Sequence, residues 1–196
     1  VSASDFNAEV RLLRLHRVLD ASVEIITERG WDGLSMTAVA RRAGVTRQGL
    51  YKDVGDRAAL GRAVVAHEVA RFLGWVQEGF EAHPGRVEDG ISAAARMVLE
   101  RGRDNALVLS ILRPDRDSGL LALVTVDPDV VLGHAIGLIQ SMVGGAVPDA
   151  LIDSVVRLTV SHLLQPTVGV DEAVDRISMV GRVFGRAALQ VEHERR

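Results

Sequence analysis

Val18–Leu60 reads VLDASVEIITERGWDGLSMTAVARRAGVTRQGLYKDVGDRAAL, and the order of start and stop signals inside it decides the fold. Leu15, Leu19, Ser22 and Ile26 recur at i, i+4, i+7 and i+11, with Val18 and Ile25 widening the face, which predicts one amphipathic helix over 8–29. Gly30 then stands where a left-handed stop is favoured. Trp31 and Leu34 follow in a short connection and are expected to close a small core. Ser35 is placed to cap a second helix through Ala43, with Val39 and Ala40 inward. Gly44 ends that helix, and Thr46 is placed to cap a third over Arg47 to Lys52. Helix, glycine turn and helix within about twenty residues is the helix-turn-helix layout.

Downstream, Asp56 is placed to cap a long fourth helix carrying Leu60, Val64, Ala70, Phe72, Leu73 and Val76. It ends before His83-Pro84-Gly85, the clearest break in the chain. Further helices are predicted at 87–102, 104–112, 119–125, 128–145, 148–165 and 171–192. Pro128 and Pro148 sit near helix starts, where a missing N–H does no harm. No strand-like alternation appears. The expected architecture is all-α with about nine helices: an N-terminal three-helix helix-turn-helix domain over 8–55 and a larger C-terminal helical domain over 56–196.

Bulk composition narrows the function classes. The 196 residues are 47% hydrophobic and 25% charged, which is ordinary for a globular chain. Without cysteine there is neither a disulfide framework nor a thiolate metal site nor a cysteine nucleophile, and this fits a reducing, cytoplasmic setting. Val1 to Val10 lacks the basic-then-apolar pattern of a signal peptide. Val130 to Pro148 is free of Asp, Glu, Lys and Arg, but His134, Gln140, Ser141 and four glycines make it a buried bundle helix rather than a membrane span. The net charge is −3, yet Arg41, Arg42, Arg47, Lys52, Arg57 and Arg62 face only Asp53 and Asp56 between positions 41 and 62. A local basic segment on a mildly acidic body suits a small nucleic-acid-reading module.

The stretch resembles the DNA-binding domain of TetR-family transcriptional regulators. The resemblance lies in a first helix ending Glu28-Arg29-Gly30-Trp31, then Ser35-Met36, Val39-Ala40 and Ala43-Gly44-Val45-Thr46, then Gly49-Leu50-Tyr51, then an acid–basic start with Leu60 to the next helix. In a helix-turn-helix the second helix enters the major groove with its N-terminal residues at base edges. Here those are Thr46, Arg47, Gln48 and Gly49. Gln48 suits adenine, and Arg47 suits guanine or a phosphate. Tyr51 and Lys52 match family positions that usually contact phosphate, and Ser35, Met36 and Thr37 offer N–H groups and a hydroxyl to another. Of Arg41 and Arg42, one is solvated or paired with Glu28 on the duller reading. The chain also departs from the family, which often carries an x-His-Phe run after Leu50-Tyr51; here the run is Lys52-Asp53-Val54. Asp53 brings a negative charge close to the expected phosphates, to be met by Arg57 or Lys52 or else to weaken binding.

Two further features follow from the resemblance. Such modules bind double-stranded operators as homodimers, and the last two helices carry the apolar stripes Leu151, Val155, Leu158, His162 and Val174, Ile177, Val180, Phe184, Leu189 as the dimer surface, with intramolecular core as the alternative. An effector cavity is implied among the middle helices, with Phe72, Trp75, Met97, Leu109, His134, Leu138 and Met142 as lining and Arg96, Asn105 and Gln140 as polar handles. Aromatic residues are only 4% of the chain, which favours an aliphatic effector. The expected function is a ligand-responsive regulator, a repressor in the commoner family outcome, with no cofactor and no membrane partner. An enzyme is disfavoured: the histidines lack metal spacing, and Ser92, Ser110, Ser141 and Ser161 lack a nucleophile elbow. The other reading is a helix-turn-helix protein acting through protein contacts alone.

Overall fold

The structure is a computed structural model, and it describes residues 3–105, 107–108, 128–143 and 147–194. Eight α-helices and no strands occur among the described residues: α1 (Ala3–Arg29), α2 (Met36–Ala43), α3 (Arg47–Val54), α4 (Arg57–Glu81), α5 (Val87–Arg103), α6 (Pro128–Val143), α7 (Asp149–Leu164) and α8 (Val170–Glu194). A 3-10 turn, Trp31–Gly33, joins α1 to α2. The all-α expectation holds. The helix expected at 119–125, and the one at 104–112 beyond Val108, lie outside the described residues, as does Leu109. The chain divides into two compact units, the first holding α1 to α3 with α4 through Glu68, the second holding α4 from Val69 with α5 to α8.

The first unit is built around Ile25, Ile26, Leu34, Val39, Leu50, Leu60 and Val64, all fully buried. Leu107 joins this core, and Trp31 and Val54 pack against it from partly buried positions. Trp31 fits because Gly61 has no side chain: a Cβ there would fall inside the indole. The predicted caps form. Ser35 Oγ accepts from Ala38 N at 3.2 Å, Thr46 Oγ1 from Gly49 N at 3.0 Å, and Asp56 Oδ1 from Ala59 N at 2.7 Å. Gly44 takes the left-handed conformation at φ 68°, which ends α2 and turns the chain into α3. Arg17 donates to the Ala43 carbonyl at 2.8 Å, satisfying one of the acceptors that the end of α2 leaves open.

α1 begins at Ala3, five residues before the expected start. The apolar period starts at Leu15, close to where burial begins, and does not mark where the helix starts. No glycine or proline interrupts residues 3–29, and Asp5 in the first turn complements the helix dipole. The first turns of α1 leave Phe6, Val10, Leu12 and Leu13 exposed.

In the second unit Ala94, Ala95, Val98 and Leu99 of α5 are buried, as are Ala173, Val174 and Ile177 of α8. The Ser92 and Ser178 hydroxyls bond across α5 and α8 at 2.7 Å. Gly79 lets α4 approach α5 closely, since a Cβ there would lie 2.5 Å from Ala94 N. In α6, expected over 128–145, Ala135 and Ile139 are buried, while Gly133, Gly137 and Ser141 are exposed. No described helix is long and apolar enough to cross a membrane.

Burial separates the residues of the two apolar stripes. Leu151, His162, Val174 and Ile177 are buried within the chain's own second unit, and Val155, Leu158 and Val180 are half-buried. Leu151, Val155 and Val180 belong to one apolar cluster with Ile139 and Ile152. Among the described residues, the exposed large apolar side chains of α7 and α8 are Val160 and Met179. The side chain of Phe184 lies outside the described residues.

Candidate nucleic-acid interface

α3 is held from within and displays its polar face outward. Leu50 is fully buried, while Arg47, Gln48, Tyr51 and Lys52 are exposed on the same two turns. A helix anchored by an apolar residue every turn presents its remaining side chains at fixed angles, which a groove-reading helix requires. Thr46 closes the N-terminal turn. Gly49 is tied to that cap, because a Cβ at Gly49 would sit 2.9 Å from Thr46 Oγ1. The Arg47 guanidinium lies over the Tyr51 ring at 5.5 Å from its centroid and 3.5 Å from its hydroxyl, which leaves most of its donors toward solvent. Ser35 and Thr37 are exposed at the start of α2.

Asp53 finds a partner that was not expected. Arg14 of α1 reaches both its carboxylate oxygens, at 2.8 and 2.6 Å, and Arg11 Nε lies 3.9 Å away. The Asp53 side chain is only 9% exposed. Neither Lys52 nor Arg57 meets it. Arg57 instead donates to the Trp31 carbonyl at 2.7 Å and stacks over the Trp31 ring at 5.2 Å. Asp53 follows Lys52 by one residue, so it turns toward α1 while Lys52 faces solvent. The signal available in the sequence was the spacing Arg11, Arg14, Arg17 along α1, which sets the first two on one side of that helix.

Arg42 is engaged and Arg41 is exposed. Arg42 bonds Glu28 at 2.8 and 3.0 Å and Glu24 at 2.9 Å, tying α2 to α1. The Glu28 carboxyl is held below the usual carboxylate range, chiefly by the hydrogen bond from Arg42, and Arg42 is pushed further from deprotonation by the same bond. Arg42 therefore belongs to the scaffold of the interface, not to its reading face.

The described residues expected to line an effector cavity are distributed through the second unit. Phe72 and Trp75 meet edge to face at 4.7 Å. Phe72 and Leu163 close over Gly102, where a Cβ would lie 2.9 and 2.8 Å from their carbons. Met97, Leu138 and Met142 are half-buried, and Asn105 is buried. Arg96 bonds Asp171 at 2.6 Å and Glu100 at 3.4 Å on the surface, so it tethers α5 to α8. Gln140 donates to the Val147 carbonyl at 2.7 Å, and its own carbonyl oxygen is buried without a partner. His162 Nε2 and Arg103 Nε are likewise buried and unpartnered. Such groups have capacity for a polar ligand atom. The His134 side chain lies outside the described residues. No cluster of three His, Cys, Asp or Glu able to hold a metal occurs among the described residues.

Comparison with known proteins agrees with this geometry. The family model described as bacterial regulatory proteins, tetR family, matches residues 18–64, and that described as bacterial tetracyclin repressor, C-terminal domain, matches residues 87–182. The chain is 26% identical over 163 residues to the HTH-type transcriptional regulator AlkX of Mycobacterium tuberculosis, covering 80% of this chain and 77% of that protein. Its fold is similar to the crystal structure of the TetR-family repressor AlkX from Dietzia sp. strain DQ12-45-1b, implicated in biodegradation of n-alkanes, with a TM-score of 0.72 and 21% identity over 88% of this chain and 97% of that one. It is also similar to the fatty acid degradation regulator FadR from Bacillus halodurans, with a TM-score of 0.57 and 14% identity over 84% and 96% of the two chains. With a matched helix-turn-helix whose second helix exposes a polar face and a matched C-terminal helical domain, the chain belongs to the TetR family of transcriptional regulators.

Proposed function

We propose that the chain is a repressor that binds a palindromic operator as a homodimer and leaves it when a small aliphatic effector binds. Residues 8–55 read the DNA, and residues 56–196 hold the effector and the partner subunit. The observation that carries the reading is the outward face of α3, with Arg47 and Gln48 at the capped end and Tyr51 and Lys52 one turn on. One such module makes too few contacts for high specificity, which calls for two half-sites and two copies. Met179 and Val160 supply exposed apolar surface on α7 and α8 for the second copy. The n-alkane link of the Dietzia regulator and the scarcity of aromatic residues in this chain support an aliphatic effector. An effector releases DNA only by binding the non-operator state more tightly, and α4, which runs from one unit into the other, is the covalent route between them. Asp53 is the residue that favours the alternative reading through protein contacts alone, and its charge is met by Arg14.

Titration of the operator complex with straight-chain alcohols and acids of graded length tests the effector class. Release of DNA that strengthens with chain length supports the proposal. Release only by flat aromatic compounds contradicts it.

A further inference from the structure

Asp53 removes a neutral or cationic side chain from the place where the family often carries His, next to Tyr51 and Lys52. The structure pairs that loss with two arginines on a neighbouring helix. They are not equivalent. Arg14 is committed to Asp53 by contacts of 2.6 and 2.8 Å. Arg11 approaches at 3.9 Å, too long for a hydrogen bond, and its side chain is 66% exposed. Arg14 therefore cancels the charge of Asp53, and Arg11 leaves a further, exposed positive charge at the flank of α3. Beside Arg11 runs an open groove of about 580 Å³ lined by Asn7, Ala8, Arg11, Leu12, Leu15 and Asp53. It lies along the N-terminal part of α1, the part that extends toward Ala3 beyond the first-unit core. The groove has a cationic donor in Arg11 and an amide donor in Asn7, the chemistry that a phosphate oxygen takes.

We infer that Arg11 is a phosphate contact of the DNA complex, carried by the N-terminal part of α1 and replacing the contact that Asp53 removes from α3. The inference rests on the DNA-binding reading above. The Asp53 carboxylate is met by Arg14 alone, and Arg11, at 3.9 Å, is not held by it. A guanidinium on a phosphate adds affinity without sequence preference and releases counterions when the complex forms.

The test is the dependence of operator affinity on salt for the wild-type chain, Arg11→Gln, and the double variant Arg14→Gln/Asp53→Asn. The double variant removes the Arg14–Asp53 pair and leaves the net charge unchanged. Each lost phosphate contact lowers the slope of log K against log[salt] by about 0.9 in duplex DNA. Arg11→Gln is expected to lose about that much slope, with unchanged preference for operator over random DNA and unchanged thermal unfolding, while the double variant keeps the wild-type slope. A wild-type slope in Arg11→Gln overturns the inference, as does a loss confined to the double variant, which would assign the contact to Arg14. Absence of operator preference in the wild-type chain overturns the DNA-binding reading itself, and the inference with it.

Discussion

Gln48 and Lys52 stand one turn apart on α3 and differ in what they can distinguish. An amide presents a donor and an acceptor together and so matches adenine, whereas an ammonium is a point charge that any phosphate satisfies. Gln48→Ala is therefore expected to cost about 1–3 kcal/mol on the operator and to flatten preference at one base pair, while Lys52→Ala weakens binding to all sequences alike. Competition titrations against single-base operator variants separate the two. The Arg42–Glu28 bond gives a pH prediction. Because the Glu28 carboxyl titrates below its ordinary 4.5, the stability it contributes is present above that value and is lost as pH falls through the lowered one. Denaturant midpoints of wild type and Glu28→Gln are expected to differ at pH 6 and to converge under acid; a constant difference would remove Glu28 from the scaffold. Residues whose role is local were legible in the sequence: Ser35, Thr46 and Asp56 each cap the helix they precede. Asp53 was not, because its partner lies 39 residues away and depends on how α1 passes α3.

At the scale of elements, the short helices stand on their caps and the long ones on close approach. Thr46→Ala removes the bond to Gly49 N and is expected to cost about 1 kcal/mol, with operator affinity falling more than global stability because the frayed turn carries Arg47 and Gln48. Gly79→Ala puts a methyl group against the Ala94 backbone and forces α4 from α5, an overpacking expected to cost about 1–3 kcal/mol in thermal or denaturant unfolding. Wild-type stability in that variant would mean that the two helices have slack. The end of α2 was readable from Gly44, since only a residue tolerant of positive φ ends a helix that way cheaply. The start of α1 was not, because hydrophobic periodicity reports burial and the first turns of α1 bury nothing: Asp5 to Leu13 are exposed throughout.

For the whole molecule, the sequence distinguished apolar stripes but not what covers them. Leu151, Val174 and Ile177 have the helical spacing of an interface and of a core equally, and burial within the chain assigns them to the core. Met179 interrupts no pattern, so its 58% exposure could be found only in three dimensions. If Met179 lies between two copies, Met179→Glu is expected to yield a monomer in sedimentation, with operator affinity down at least tenfold (about 1.4 kcal/mol) and thermal unfolding of the subunit little changed. A variant that remains dimeric moves the interface elsewhere on α7 and α8.

The exposed face of α3 is proposed to read a DNA sequence. Fragments bound from the source genome at low and moderate salt, selected with wild type and Gln48→Ala in parallel, test this reading. A palindrome is expected, enriched by wild type, weakened by salt, and degenerate at one position per half-site for Gln48→Ala. Recovery of fragments with no shared sequence at either salt concentration would contradict it.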